Sequence, residues 1–430
     1  MEEDLREILR AGLAAADPAG AVRRHLRVED GAVVAGGKRL RPQRVWVVAA
    51  GKAAGPMARA ACGVLSGGIS GGLVVTKDGH EPGPEELETL YASHPEPDAR
   101  GVEAARRVAG LASSLGEGDL LLALISGGAS ALLADPAEGI GLTELKELTG
   151  ALLRSGADIG EINAVRKHVS TLKGGGLARL AAPAQVVALL LSDVVGDDVS
   201  SIASGPTAPD PTTLEDARGV LRRYRIDPPE SVARRLRDGP ETPKPGDSLF
   251  RRVVNIVCGG GRASVEAAVR KAGQLGYRTL LISTTLTGEA RGAASVHAAM
   301  VREALQSGNP SPPPCALLSG GELTVNVRGG GLGGPNQEFC LALAAELEGV
   351  EGWAAFSADT DGQDGPTEAA GGLVDGRTAP RIREAGIDPR EALAHNDTHA
   401  ALAAAGALLE TGPTGTNVND LRAVLIRPRR

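Results

Sequence analysis

Short apolar runs recur along the chain, each ending in glycine and running on into an alanine-rich stretch with helical spacing. The clearest are "RVWVVAAGKAAGPMARAA" at 44–61, "DLLLALISGGASALLA" at 119–134 and "AQVVALLLSDVVGDD" at 184–198. Strands without a polar face, alternating with helices, predict a parallel sheet covered on both sides, so the first half is expected to be α/β. Residues 237–248, "RDGPETPKPGDS", carry the proline, glycine and charge of a linker. Beyond them a second series begins with "VVNIVCGGGRASVEAAVRKAGQLG" and continues through "CALLSGGELTVNVRGGG" and "GWAAFSADTDGQDG". Two α/β domains are therefore predicted, over 1–240 and 250–430, since 430 residues exceed what one hydrophobic core usually supports. Loops at the carboxyl ends of parallel strands gather ligand-binding groups. These glycine-rich loops are expected to meet in a cleft between the domains.

Composition narrows the partners. Aromatic residues make up only 2%, so the core is built from Ala, Val, Leu and Ile, and few rings are available to stack bases. A formal charge of −7 gives no basic field for a nucleic-acid backbone. The four cysteines, Cys62, Cys258, Cys315 and Cys340, form no CxxC pair and have no histidine at zinc spacing, which predicts reduced thiols in a cytosolic protein. The start, "MEEDLREILRAGLAAADP", has an acidic amphipathic helix pattern rather than that of a secretion signal. No apolar run approaches the roughly 18 residues that span a bilayer. A cytoplasmic chain with small-molecule partners, no nucleic acid and no membrane is expected, and its assembly into a homo-oligomer stays open.

Candidate chemistry lies at the strand ends. Lys52 follows Gly51 between a strand and a helix, where an ammonium and free helix amides suit a phosphate; Ala53 rules out a Walker motif, which needs Ser or Thr there. Ser126, Gly127, Gly128 and Ser130 form a loop whose glycines let an anion approach the backbone. Asn163, Arg166, Lys167, His168 and Lys173 make a basic segment in which Arg166, Ser170 and Lys173 share a face if the helix continues. Asp193, Asp197 and Asp198 end a buried-type strand, as suits a Mg²⁺ that keeps most of its shell for water and phosphate, although a plain turn uses the same residues. "SADTDGQDGPTEAAGG", residues 357–372, fails as an EF-hand because Gln363 and Asp364 stand where Asp or Asn and Gly are required. His94 and His168 are polar site candidates weighed against ordinary surface histidines. No GxGxxG, HRD or DFG signature occurs.

In series, "AAGKAAGPMA", "LISGGASALL", "INAVRKHVSTLKGGGLA", "LSDVVGDDVSSIASGPTAPDPTT", "GGPNQEFCLALA", "DTDGQDGPTEAAGG" and "TGPTGTNVNDL" resemble the glycerate 2-kinase family, with its DUF4147 N-terminal and MOFRL C-terminal domains. The resemblance covers nearly the whole chain. It implies a larger Rossmann-like αβα sandwich, a smaller MOFRL-type α/β domain, and transfer from ATP, with Mg²⁺, to the 2-hydroxyl of D-glycerate. It also implies catalytic roles for Lys52, Arg166 and Asp193, and a metal at Asp193 and Asp197. Cofactor contacts are implied for Ser126, Gly127, Gly128, Ser130, Lys173, Asn336, Gln337 and Glu338, and substrate contacts for Asn163, Lys167 and Asp361.

One position departs from the pattern. Some relatives carry arginine, proposed as catalytic, where this chain has Pro335, which leaves Arg328 or Arg166 to supply the charge. The rival expectations are an NAD(P)H-linked hydroxypyruvate reductase and a non-catalytic sensor of sugar acids or nucleotides.

Overall fold

The computed structural model describes residues 1–428. The chain divides into two compact units, one of Pro18–Cys258 and one of Met1–Asp17 with Gly259–Arg430. The first opens with the helix Pro18–His25, followed by a small antiparallel sheet of β1 (Leu26–Glu29), β2 (Ala32–Ala35) and β3 (Lys38–Leu40). Its main sheet comprises β4 (Arg44–Ala50), β5 (Gly71–Lys77), β6 (Glu88–Ala92), β7 (Asp119–Ile125), β8 (Gln185–Leu191) and β9 (Val253–Gly259), in the order β6-β5-β4-β7-β8-β9. The pairs from β6 through β8 are parallel. Every residue of β7 and all but the first of β8 are buried, as strands covered on both faces require. Alanines of the helix Ala99–Ser113 pack on Val48, Leu121 and Ala123 in one of the core layers.

The second unit holds a mixed sheet of β10 (Arg278–Glu289), β11 (Cys315–Thr324), β12 (Trp353–Asp359), β13 (Gly371–Asp375), β14 (Leu408–Leu409) and β15 (Asp420–Ile426). The order is β10-β11-β15-β12-β13-β14. Only β10 and β11 run parallel; β15 enters between β11 and β12 antiparallel to both. One face packs on the helix Pro335–Glu346 through Phe339, Leu341 and Leu343. The other packs on Leu5, Ile8 and Leu9 of the helix Glu2–Ala15 and on Val265 and Ala268 of Gly261–Gln274.

Three expectations change. The first helix belongs with the second unit, because its apolar stripe covers that sheet; Tyr277 donates to Asp4 at 2.6 Å. The strand "VVNIVCG" completes the first sheet rather than opening the second, held by Asn255 to the Thr207 carbonyl at 3.0 Å and by Cys258 to the Leu190 carbonyl at 3.4 Å. The segment expected as a linker is packed: Thr242 is buried and donates to Asp210 at 2.9 Å, and Glu241 accepts the Leu214 amide at 2.9 Å.

Candidate functional site

The order of the first sheet reverses between β4 and β7, since β5 and β6 lie on one side of β4 and β7 and β8 on the other. A ligand-binding crevice is expected beyond the carboxyl ends at such a switch point. There the chain is latched. Ser126 N–H donates to the Ala50 carbonyl at 2.9 Å, Lys52 N–H to the Gly127 carbonyl at 2.9 Å, and Ala53 N–H to Ser126 Oγ at 3.0 Å. Gly51 sits at φ 126°, and a Cβ there would lie 2.2 Å from Ser126 Oγ and 2.5 Å from its carbonyl oxygen, so no other residue fits. Ser126 is buried and serves this latch.

Three side chains stand over the Gly127–Gly128 turn. A Cβ on Gly127 would lie 2.4 Å from Asp193 Oδ2, and one on Gly128 would lie 3.2 Å from His94 Cδ2 and 3.3 Å from both His94 Nε2 and Lys52 Cγ. Asp193 accepts no hydrogen bond from another residue and has no ion-pair partner among the described residues. Burial raises its pKa, opposed by its own N–H and by Lys52. His94 is pushed down to about 4 by burial and by Lys52, Lys77 and His80, so it is neutral near pH 7. Sequence reasoning left His94 beside ordinary surface histidines; "SHPEPD" follows β6, and only the fold carries it over Gly128.

A second group lies under the segment 163–173. Its helix ends at His168, because the next residues form a bridge, with Ala137 N–H on the Val169 carbonyl at 2.8 Å and Thr171 N–H on the Asp135 carbonyl at 3.0 Å. Arg166, Ser170 and Lys173 thus do not share a helix face. They nevertheless line one small cavity of about 60 Å³ with Ser130 and Asp135. Lys173 and Ser170 both donate to the buried Asp135 carboxylate, and Lys173 reaches the Leu133 carbonyl at 3.1 Å. Arg166 has no hydrogen bond or ion pair among the described residues, and burial lowers its pKa, with Asp135 acting the other way. Ser130, Ser204 and Asn163 form a chain of hydroxyl and amide contacts at 2.9 and 3.0 Å. Lys167 is buried against Asp210 at 3.3 Å, and His168 is buried with Nε2 3.2 Å from Glu241.

The polar run after β8 divides. Asp193 faces the loops, whereas Asp198 ties a turn by accepting Ser200 Oγ at 2.8 Å and Ser201 Oγ at 2.6 Å. Asp197 stands on that turn at φ 57° without a side-chain partner among the described residues. Among those residues no group of three or more His, Cys, Asp and Glu is arranged to hold a metal. The free Asp193 carboxylate, with open backbone beside it at Gly127, fits a Mg²⁺ that takes one or two protein oxygens and the rest from phosphate and water.

Asn336, Gln337, Glu338 and Asp361 belong to the other unit. Pro335 starts its helix, and Asp364 caps it by accepting the Asn336 and Gln337 amides at 3.0 and 2.8 Å. Asn336 also donates to Asp420 at 2.8 Å, Gln337 to Thr367 at 2.9 Å, and Glu338 accepts from Arg291 at 2.7 Å and Asn396 at 3.0 Å. All three side chains are buried and fully engaged. Asp361 closes a turn by accepting the Gln363 amide at 2.8 Å. Arg328 is exposed.

The chain matches the family model "Domain of unknown function (DUF4147)" over residues 4–237 and the MOFRL family over 315–420. It is 48% identical over 389 residues to a D-glycerate 2-kinase of Thermotoga maritima, covering 90% of this chain and 92% of that protein. It is 42% identical over 438 residues to a glycerate 2-kinase of Pyrococcus horikoshii, covering 99% and 98%. The crystal structure of a glycerate kinase from T. maritima superposes with a TM-score of 0.90 at 44% identity, covering 99% of both chains.

Proposed function

The chain belongs to the glycerate 2-kinase family, in which a DUF4147 domain precedes a MOFRL domain, and from that premise we propose that the loops around Gly127 and Gly128 are where a phosphoryl group passes from ATP to D-glycerate. The reaction is phosphorylation of glycerate at its 2-hydroxyl. The observation that carries the assignment of place is the convergence of Lys52, Asp193 and open glycine backbone at the switch point of the parallel sheet.

Phosphoryl transfer asks mainly for in-line positioning and neutralisation of the equatorial oxygens. Lys52 carries an ammonium in no ion-pair contact among the described residues, and Arg166 a guanidinium in the same condition, so both can take phosphate oxygens. Asp193 is the residue to hold Mg²⁺, which supplies charge neutralisation on the phosphates when bound. The attacking oxygen forms its bond to phosphorus as the bond to ADP breaks, and the hydroxyl proton leaves late in a loose transition state. Lys173, Lys167 and Asn163 act one step removed in this reading, because their polar atoms are spent on Asp135, Asp210 and Ser204. Asn336, Gln337 and Glu338 hold the fold of the second unit, and a small-molecule reaction in the cytoplasm fits the acidic balance of the chain.

A ³¹P NMR time course with ATP, Mg²⁺ and D-glycerate tests the proposal. Growth of the 2-phosphoglycerate resonance with ADP, abolished in Lys52→Ala, is the expected result. Undiminished turnover in Lys52→Ala, or NADH oxidation by hydroxypyruvate with ATP left intact, would overturn it.

A further inference from the structure

Four basic side chains, Lys52, Lys77, His80 and His94, come from the ends of β4, β5 and β6 and the loops that follow them. Among the described residues Lys52 and Lys77 have no ion-pair partner and neither ring nitrogen of His94 has a hydrogen-bond partner, while His80 spends Nδ1 on the Lys52 carbonyl at 3.0 Å. Burial first, and then the charges of Lys52, Lys77 and His80, push the His94 ring toward its neutral form. Asp193 is the carboxylate that faces this group from β8, and it lies on the Gly127 side of the turn, while His94 lies on the Gly128 side. Two lysines beside a half-buried imidazole, with Asp193 as the facing carboxylate, mark the seat of an anion. Its ligand is rich in oxygen lone pairs, so the useful contribution of a neutral imidazole there is its N–H.

We propose that His94 is a further catalytic residue, whose Nε2–H donates to an oxygen of the transferred phosphoryl group beside Lys52. The inference rests on the reading that the Gly127–Gly128 turn is the transfer site. The ring keeps its proton through the step: the glycerate oxygen bonds to phosphorus, the bond to ADP breaks with its electron pair going to ADP, and the hydroxyl proton goes to solvent. The polyanion also reverses the repulsion from the lysines, so its arrival draws a proton onto the free His94 nitrogen.

The test is His94→Gln and His94→Asn steady-state kinetics, together with ¹⁵N-histidine NMR of the whole wild-type protein at pH 6 with and without Mg²⁺ and the non-hydrolysable analogue β,γ-imido-ATP. The expected results are a fall in kcat of about a hundredfold, as for loss of one oxyanion donor, with a much smaller change in KM for glycerate. In the wild type, the ring signal absent from His94→Gln moves toward the protonated form on adding the analogue. Turnover near wild type in both variants, or a His94 signal unmoved by the analogue, overturns the proposal. If Lys52→Ala is inactive while the His94 variants are normal, His94 alone is excluded. If Lys52→Ala is also normal, the site reading fails with it. Should both variants misfold, the His94 ring signal is assigned instead through the backbone resonances of Ser93 and His94, and the wild-type NMR result decides.

Discussion

The main-chain N–H of Lys52 donates to the carbonyl of Gly127 over 2.9 Å, which fixes the end of one central strand to the end of its parallel neighbour at the reversal point of the sheet. The two glycine positions beside this bond therefore respond differently to a methyl group. At Gly51 an alanine meets backbone and needs φ 126°, so Gly51→Ala loses about 1–3 kcal/mol from backbone strain alone, with contact strain added. At Gly127 the nearest atoms the methyl meets all belong to the Asp193 side chain, with Oδ2 closest, so the fold stays while that carboxylate is displaced. Gly127→Ala is expected to melt near the wild-type temperature yet lose about a hundredfold in kcat, the scale of a 1 Å misplacement. Equal losses of stability in the two variants would contradict this division.

Arg166 offers a planar fork that no hydrogen bond or ion pair receives among the described residues, in a cavity shared with Ser130 and Ser170. Arg166→Ala is expected to reduce kcat by about 10²–10³-fold. Arg166→Lys recovers only part of it, because an ammonium cannot form the bidentate contact. Kinetics at saturating ATP and glycerate check both; a Lys variant equal to wild type would reduce Arg166 to a point charge.

Lys173 and Asp135 are both buried and bind each other, and Asp135 also accepts Ser170 Oγ and the Leu172 amide. Lys173→Met leaves that carboxylate without its cation and is expected to cost about 3–5 kcal/mol. Lys173→Met with Asp135→Asn should recover much of the loss, since the uncompensated charge is removed as well. Denaturant unfolding of the single and double variants measures the coupling; additive losses would show that the two act independently.

The architecture was legible wherever strands are apolar on both faces: the runs at 44–50, 119–125 and 185–191 are β4, β7 and β8, and the glycines after the first two mark the switch-point loops. Lys52 and Asp193 stand just past the ends of these strands, so the same pattern placed them beside the switch-point loops, where Lys52 lies against Gly128 and Asp193 against Gly127. Lys167 and Lys173 were not, since their buried carboxylate partners Asp210 and Asp135 lie 43 and 38 residues away. Asn336, Gln337 and Glu338 carry the chemistry of a binding motif, yet their partners Asp364, Asp420 and Arg291 come from distant segments that no local pattern announces. His94 could not be told from a surface histidine, because Lys52 and Lys77 are brought beside it from the ends of two other strands.

Asp359, at the end of β12, is pushed up to about 8, first by burial and then by the charge of Asp361, against the Asp361 amide it accepts at 3.0 Å, with Asp420 and Asp364 adding to the rise. Asp364 is raised to about 6, again first by burial, with the amides it caps pulling it back. A carboxyl whose folded pKa lies above its unfolded value binds its proton more tightly in the folded state. Its stabilisation is complete below the unfolded pKa, near 4, and is lost as pH rises to the folded one. Wild-type stability is therefore expected to decline from about pH 4 to about pH 8 through these groups. Asp359→Asn, which cannot ionise, should gain on wild type steadily across that window and keep a constant lead above it. Melting temperatures of both proteins at intervals from pH 5 to 9 test the sign, and a difference independent of pH would show that Asp359 ionises in the folded protein as it does in the unfolded chain.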